Sequence, residues 1–325
     1  MGSQAGEGRA QGTGRRVLRW VLRLSGLGLM ALVVSRQDLR AIGSMLMHLD
    51  AAMLLLGLLL TLAMIGVRVA RYHLLLRCQG LEIALGASVS IFFKSSFWGL
   101  VSPARMGEVI RVTYLKGHGV SFLQGINSVL MDRLLDLAAL AVVTLLSTVF
   151  LATEDDHGLI TLTVASCLLG LGGWGLLELG RPWLKKFLGG RSIMGVSAGL
   201  LLDNLFNTRH KLALLAMSVG QWLVFLLGML AMTSGLNLKV SISMTCFATM
   251  TSQLVGMLPV SVAGIGTRDV WLEMLFAQQG LPTEWAVLFS SLILVNYLFY
   301  FAVSALWLFL PSGEPHGLPR REQTP

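Results

Sequence analysis

Charged side chains are scarce in this sequence, and those able to do chemistry gather in two stretches interrupted by proline and glycine. The first holds Lys94, Arg105, Glu108, Arg111, Asp132, Arg133 and Asp136; the second holds Arg268, Asp269 and Glu273. Glu108 and Arg111 are three residues apart, a spacing that lets them pair on one helix face. Asp132 and Asp136 are four apart and share a face, so at least one needs a cationic neighbour such as Arg105 or Arg133. Asp269 and Glu273 repeat that spacing. A charge at mid-bilayer costs roughly 2.5–3.5 kcal/mol even on a lenient insertion scale, so such residues require partners or water. Two arrangements fit. The arginines could hold an anionic headgroup in a polar cavity, since guanidinium suits phosphate. Alternatively, the charges are internal ion pairs that fix the stretches in place, or they lie at the membrane interface. Lys94 is expected to snorkel to that interface.

The elements that position these residues follow from composition. Of 325 residues, 54% are hydrophobic and 13% charged, against about 25% charged in a soluble domain. Runs at 51–70, 159–177, 212–233 and 286–310 approach or exceed the roughly 20 apolar residues that cross a bilayer as a helix. The fold class expected is therefore all-α and polytopic, with a single membrane domain over 17–310 between a basic tail at 1–16 and a tail at 311–325. The stretch 17–34 ends without a small-residue cleavage site and is expected to stay as the first membrane helix.

Arginines and lysines orient the chain. Arg9, Arg15, Arg16, Arg19 and Arg23 put the N-terminus in the cytoplasm, and Arg68, Arg71 and Arg77 do the same for the end of the second helix. The acidic loop at Glu154, Asp155 and Asp156 lies outside. The basic segment 180–211 and the C-terminal Arg320 and Arg321 lie inside. Six full crossings satisfy every assignment: 17–34, 51–70, 137–152, 159–179, 212–233 and 284–310. Two pairs of short apolar stretches remain, 87–101 with 121–135 and 242–258 with 270–279. Pro103 and Gly107 break the first pair; Pro259, Gly264 and Gly266 break the second. Each pair is expected to form a re-entrant hairpin, and the two enter from opposite sides, an inverted repeat of 51–152 and 212–310. Short, interrupted segments at matching positions of two halves point to a transporter's binding site. Eight ordinary crossings are the alternative. Within 180–211, residues 185–204 alternate basic and apolar and are expected to form an interfacial helix.

Other signals carry less. The net charge of +8 is explained by topology and anionic lipid, with no nucleic-acid surface in the sequence. Cys78, Cys167 and Cys246 are isolated, and no metal site or cofactor motif is expected. The match of Gly195, Ser197 and Gly199 to a hydrolase elbow lacks the strand that motif needs. No nucleotide-phosphate loop or zinc-protease signature occurs.

Three ordered motifs resemble one known family. Phe93-Lys94-Ser95-Ser96 through Ser102-Pro103-Ala104-Arg105-Met106-Gly107-Glu108-Val109-Ile110-Arg111 is similar to the first signature of the lysylphosphatidylglycerol synthase transmembrane-region family. Met131-Asp132-Arg133-Leu134-Leu135-Asp136 resembles its second. Leu258-Pro259 through Gly264-Ile265-Gly266-Thr267-Arg268-Asp269 resembles its third, with Ala263 where a glycine is common and Asp269 for a glutamate. The resemblance covers about residues 20–310. It implies a lipid-translocating membrane domain with two opposed hairpins. In multidomain relatives a cytosolic synthetase domain follows and makes the lipid; this sequence shows none, so lipid aminoacylation is not expected of it.

The function expected is a flippase-like protein of the cell inner or plasma membrane, moving an amphiphile with a polar or anionic headgroup between leaflets. Arg105, Arg111 and Arg268 would contact the headgroup; Glu108, Asp132, Arg133, Asp136 and Asp269 would complete the site. A headgroup-modifying membrane enzyme, with Asp132 and Asp136 binding metal, is a second expectation. A non-catalytic partner of a separate lipid-modifying enzyme is a third, and a homo-oligomer stays open.

Overall fold

The computed structural model describes residues 49–151, 210–257 and 266–309, with isolated residues elsewhere. The expected crossings 17–34 and 159–179, the acidic loop, Pro259 and Gly264 lie outside the described residues. Eight helices are described: α1 Ala51–Cys78, α2 Leu85–Leu100, α3 Arg111–Lys116, α4 Phe122–Leu151, α5 Lys211–Gly235, α6 Ile242–Gly256, α7 Thr267–Gln278 and α8 Thr283–Phe309. A 3-10 segment, Pro103–Ile110, joins α2 to α3. The chain is an α-helical membrane protein. Among the described residues α1, α5 and α8 are long and apolar enough to cross a bilayer. At 1.5 Å per residue the 28 residues of α1 reach about 42 Å, more than the roughly 30 Å hydrocarbon core. Leu55, Leu56, Leu59 and Leu62 on α1 and Leu223 and Leu227 on α5 are exposed, as a lipid-facing surface requires.

Three sequence expectations change. First, α1 runs past residue 70 to Cys78, because the apolar pattern resumes after Arg71 at Leu74, Leu75 and Leu76. Arg68 and Arg71 are therefore inside the protein, not in a cytoplasmic loop; only Arg77 of that trio is exposed. Second, 121–135 and 137–152 are not separate elements. One 30-residue helix, α4, runs through both. The carboxylates at 132 and 136 do not interrupt it, because arginines neutralise them within the bundle. The arm that returns after α2 is instead the 3-10 segment with α3. Third, the expected helix at 185–204 is not continuous: Ser192–Ile193 pairs antiparallel with Val196–Ser197, a two-residue ladder that needs extended backbone.

The two halves then run in the same order. In each, a long helix is followed by two short elements and a second long helix: α1, α2, the 3-10 segment with α3, and α4; then α5, α6, α7 and α8. Packing follows the same correspondence. The first helices of the halves, α1 and α5, pack along each other; α2 of the first half packs on α8 of the second, and α6 of the second on α4 of the first. The α1–α5 crossing is set by glycine. A Cβ on Gly57 would lie 3.1 Å from the Gly228 carbonyl oxygen, and one on Gly228 would lie 3.2 Å from that of Gly57. Small residues let membrane helices approach this closely, where dispersion rather than water exclusion drives association. The α2–α8 seam is aromatic, with Phe93 stacked on Trp307 and Phe97 on Phe301 at 5.0 and 5.1 Å between ring centroids.

Candidate functional site

Helical spacing sets the site's foundation. Arg68, Arg71 and Tyr72 recur at i, i+3 and i+4 on the buried face of α1, and Asp132 and Asp136 at i and i+4 on that of α4. Arg71 reaches both carboxylates, 2.7 Å from Asp132 Oδ1 and 2.7 Å from Asp136 Oδ1. Arg68 donates to Asp136 Oδ2 at 2.9 Å. Arg111, at the start of α3, donates to Asp132 Oδ2 at 2.8 Å and to Ser95 Oγ at 3.1 Å. Its guanidinium lies 4.3 Å from the ring centroid of Tyr72, a cation–π contact that substitutes for hydration. Gln221 of α5 donates to Asp136 Oδ1 at 2.8 Å.

Glu108 extends the network. One oxygen pairs with Arg111 at 3.4 Å and with Arg133; the other faces Arg105 at 3.7 Å. Two glycines make its position available. A Cβ on Gly99 would fall 2.9 Å from Glu108 Oε1 and against its Cγ, so only glycine lets the 3-10 segment lie on α2 there. A Cβ on Gly107 would sit 2.5 Å from the Trp98 carbonyl carbon, so the predicted role of Gly107 is close backbone approach. Gly107 N–H donates to Ser102 Oγ at 2.7 Å. Within this segment Arg105 has φ +57°, a left-handed conformation that is uncommon without glycine and clusters at functional sites.

A cavity opens above the network. Its volume is about 90 Å³. Among the described residues its charged lining is Arg68, Arg105 and Arg268, with no carboxylate. The three arginines come from α1, the 3-10 segment and α7, so both halves contribute. Trp222, Tyr297 and Tyr300 form aromatic wall, and Tyr300 lies between Arg68 and Arg105, 5.9 and 5.8 Å from their guanidinium carbons. Tyr300 donates to Ser96 Oγ at 3.0 Å, and Tyr297 donates to the Leu100 carbonyl. Three buried donors on lining residues have no hydrogen-bond partner: Arg68 Nε, Arg268 Nε and Trp222 Nε1. Buried donors are normally satisfied, so this concentration calls for an explanation.

Arg268 is 3% exposed and comes only within 3.7 Å of Asp269. Asp269 turns to its own helix start instead. It accepts from Gly266 N–H at 2.9 Å, where Gly266 has φ +87°, and it accepts a hydrogen bond from Ser290 of α8. Glu273 is exposed and away from this group.

The predicted residues therefore divide. Arg105 and Arg268 line the cavity. Glu108, Arg111, Asp132, Arg133 and Asp136 form the ion-pair network beside it, with Arg111 only 1% exposed and absent from the lining. Asp269 is a helix-start residue. Lys94 is buried within the protein. Sequence reasoning missed Arg68 and Arg71, because they were counted as loop charges. It also missed Gln221 and Asn296, lone polar side chains within apolar spans; that isolation is itself the signal. Asn296 accepts from Thr61 of α1 and donates toward Met232 Sδ at 3.2 Å, joining α8 to the α1–α5 crossing. Among the described residues no three His, Cys, Asp or Glu side chains converge as a metal site would need.

A helical membrane protein with an arginine-lined cavity, supported by an internal ion-pair network, is the class these features define. The chain belongs to the family of the lysylphosphatidylglycerol synthase TM region, whose model matches residues 19–304. Comparison with curated proteins and with solved structures gives no match.

Proposed function

We propose that this protein is a lipid translocator whose cavity admits the polar or anionic headgroup of an amphiphile while its tails stay in the bilayer. The observation that carries this reading is a cavity lined by three arginines from both halves and, among the described residues, by no carboxylate. Membership of a family named for a lipid enzyme's membrane region supports a lipid-related role. The matching order of elements in the two halves, and the exchange of packing between them, favour an inverted repeat in which α2 with the 3-10 segment and α3, and α6 with α7, are opposed re-entrant hairpins. Six full crossings go with that arrangement. Exposed Arg77 and Lys116 end α1 and α3, as expected if both ends face the cytoplasm, with both chain termini on that side of the cell membrane.

In this mechanism Arg68, Arg105 and Arg268 hold the headgroup. Arg111, Arg71 and the carboxylates position the 3-10 segment against α1 and α4. The transferase alternative is less favoured, because the Asp132 and Asp136 oxygens that would bind a metal are each held by arginine. Reconstitution in liposomes with headgroup-labelled lipids, read by membrane-impermeant quenching, tests the proposal. Headgroup-dependent leaflet exchange that is lost in Arg268→Gln is the expected result. Exchange in that variant at the wild-type rate, or none with any lipid in folded wild-type protein, contradicts it.

A further inference from the structure

The ion-pair network beside the cavity does not balance. Its members are linked without a gap: Arg68 to Asp136, Asp136 to Arg71, Arg71 to Asp132, Asp132 to Arg111, and Arg111 to Glu108, which also meets Arg105 and Arg133. Among the described residues five arginines thus face three carboxylates, an excess of two positive charges. Five of the six carboxylate oxygens have an arginine nitrogen within 3.4 Å, and the sixth, Glu108 Oε1, meets only Arg105. Side-chain exposure is 6% for Arg68, 20% for Arg105 and 24% for Arg133; Arg68 and Arg105 are the network members that line the cavity. Arg105 is also the most loosely held, at 3.7 Å from Glu108, beyond hydrogen-bond range. Arg268, which also lines the cavity, has a buried Nε without a hydrogen-bond partner among the described residues.

Buried charge without a counter-charge is unfavourable, and guanidinium side chains do not deprotonate to escape it. The excess therefore sets what fills the cavity. We propose that the site takes a lipid headgroup carrying two negative charges, as a phosphomonoester or a pyrophosphate ester does, in preference to a singly charged phosphodiester or a cationic aminoacyl lipid. This rests on the lipid-translocator reading and narrows its substrate class. Arg68 and Arg105 both lie beside the Tyr300 ring, and Arg268 lines the same cavity from the second half, so guanidinium donors suited to phosphate oxygens come from three elements. A cationic headgroup would meet three arginines and, among the described lining residues, no carboxylate.

The test uses the full chain in a neutral detergent, with Kd from ligand-induced stabilisation. The probes are dioctanoyl phosphatidic acid, dioctanoyl phosphatidylglycerol and inorganic phosphate. At pH 8.5 phosphatidic acid should bind about tenfold or more tightly than phosphatidylglycerol, the ratio expected for one extra charge-assisted contact. At pH 5.5, below the second phosphate pKa of about 6, that advantage should shrink to about threefold while phosphatidylglycerol binding holds. Arg105→Gln should reduce the pH 8.5 preference to within about twofold, as one excess charge is lost. Equal affinity for the two lipids at pH 8.5 overturns the charge match. If headgroup-dependent leaflet exchange persists in that case, the translocator reading survives alone. A tenfold preference without leaflet exchange of either lipid supports the charge match and removes translocation. Inorganic phosphate binding as tightly as phosphatidic acid overturns the lipid part of the proposal.

Discussion

Two groups of arginines lie within one bundle and are treated oppositely by their surroundings. Arg71 and Arg111 are 0% and 1% exposed and are enclosed by Asp132, Asp136, Glu108 and an aromatic ring. Among the described residues, Arg105 and Arg268 face a cavity with no carboxylate and have only 3.7 Å contacts to acids. Arg68 belongs to both, paired through one nitrogen and unpartnered at Nε. The lesson is that burial of charge does not by itself mark a binding site. Arg71 too has an Nε without a hydrogen-bond partner, so what separates the groups is location: an arginine enclosed by carboxylates is a structural tie, and one that lines a cavity is available to a ligand. The comparison predicts that the first group controls stability and the second controls transport.

The strongest way to break that division is to remove a carboxylate from the network. Asp136→Ala leaves Arg68 and Arg71 buried without their acceptor, and breaking a buried pair costs about 3–5 kcal/mol. Thermal unfolding in detergent should show a large loss, or the protein should fail to accumulate; stability within 1 kcal/mol of wild type, a threshold set by the usual yield of exposed pairs at about that level, would show that the network is not structural. Gly107→Ala drives a methyl group into the Trp98 backbone, and overpacking of this kind costs about 1–3 kcal/mol. Because the 3-10 segment carries Arg105, the same variant should weaken headgroup binding, measured with phosphatidic acid. Asp269→Ala removes the acceptor for Gly266 N–H and should cost about 1 kcal/mol, as lost helix caps do, read by the same unfolding assay.

Much of this was legible in the sequence, but unevenly. Signals that act locally came through: the short helices α6 and α7 around an interrupted stretch, and the long spans α5 and α8. Whether a charge is buried depends on partners far along the chain, and that is where the sequence misled. Arg68 and Arg71 follow an apolar run and look like loop charges until Asp132 and Asp136, more than sixty residues away, are seen to neutralise them. The same pairs let α4 pass unbroken through a charged stretch that resembles a helix end. Arg111 and Arg105 share one charged, interrupted stretch and the same phosphate-binding chemistry in sequence; in the structure Arg111 joins the ion-pair network and Arg105 lines the cavity.

The most direct test of the division between structural and ligand-facing arginines compares Arg268→Gln with wild type in two assays on the same preparation, thermal unfolding and leaflet exchange. The account predicts a stability change below about 1 kcal/mol, since Arg268 has no short-range carboxylate partner to strand, together with loss of headgroup-dependent exchange. Collapse of the fold with exchange lost only in proportion, or a stable variant that still translocates at the wild-type rate, would contradict it.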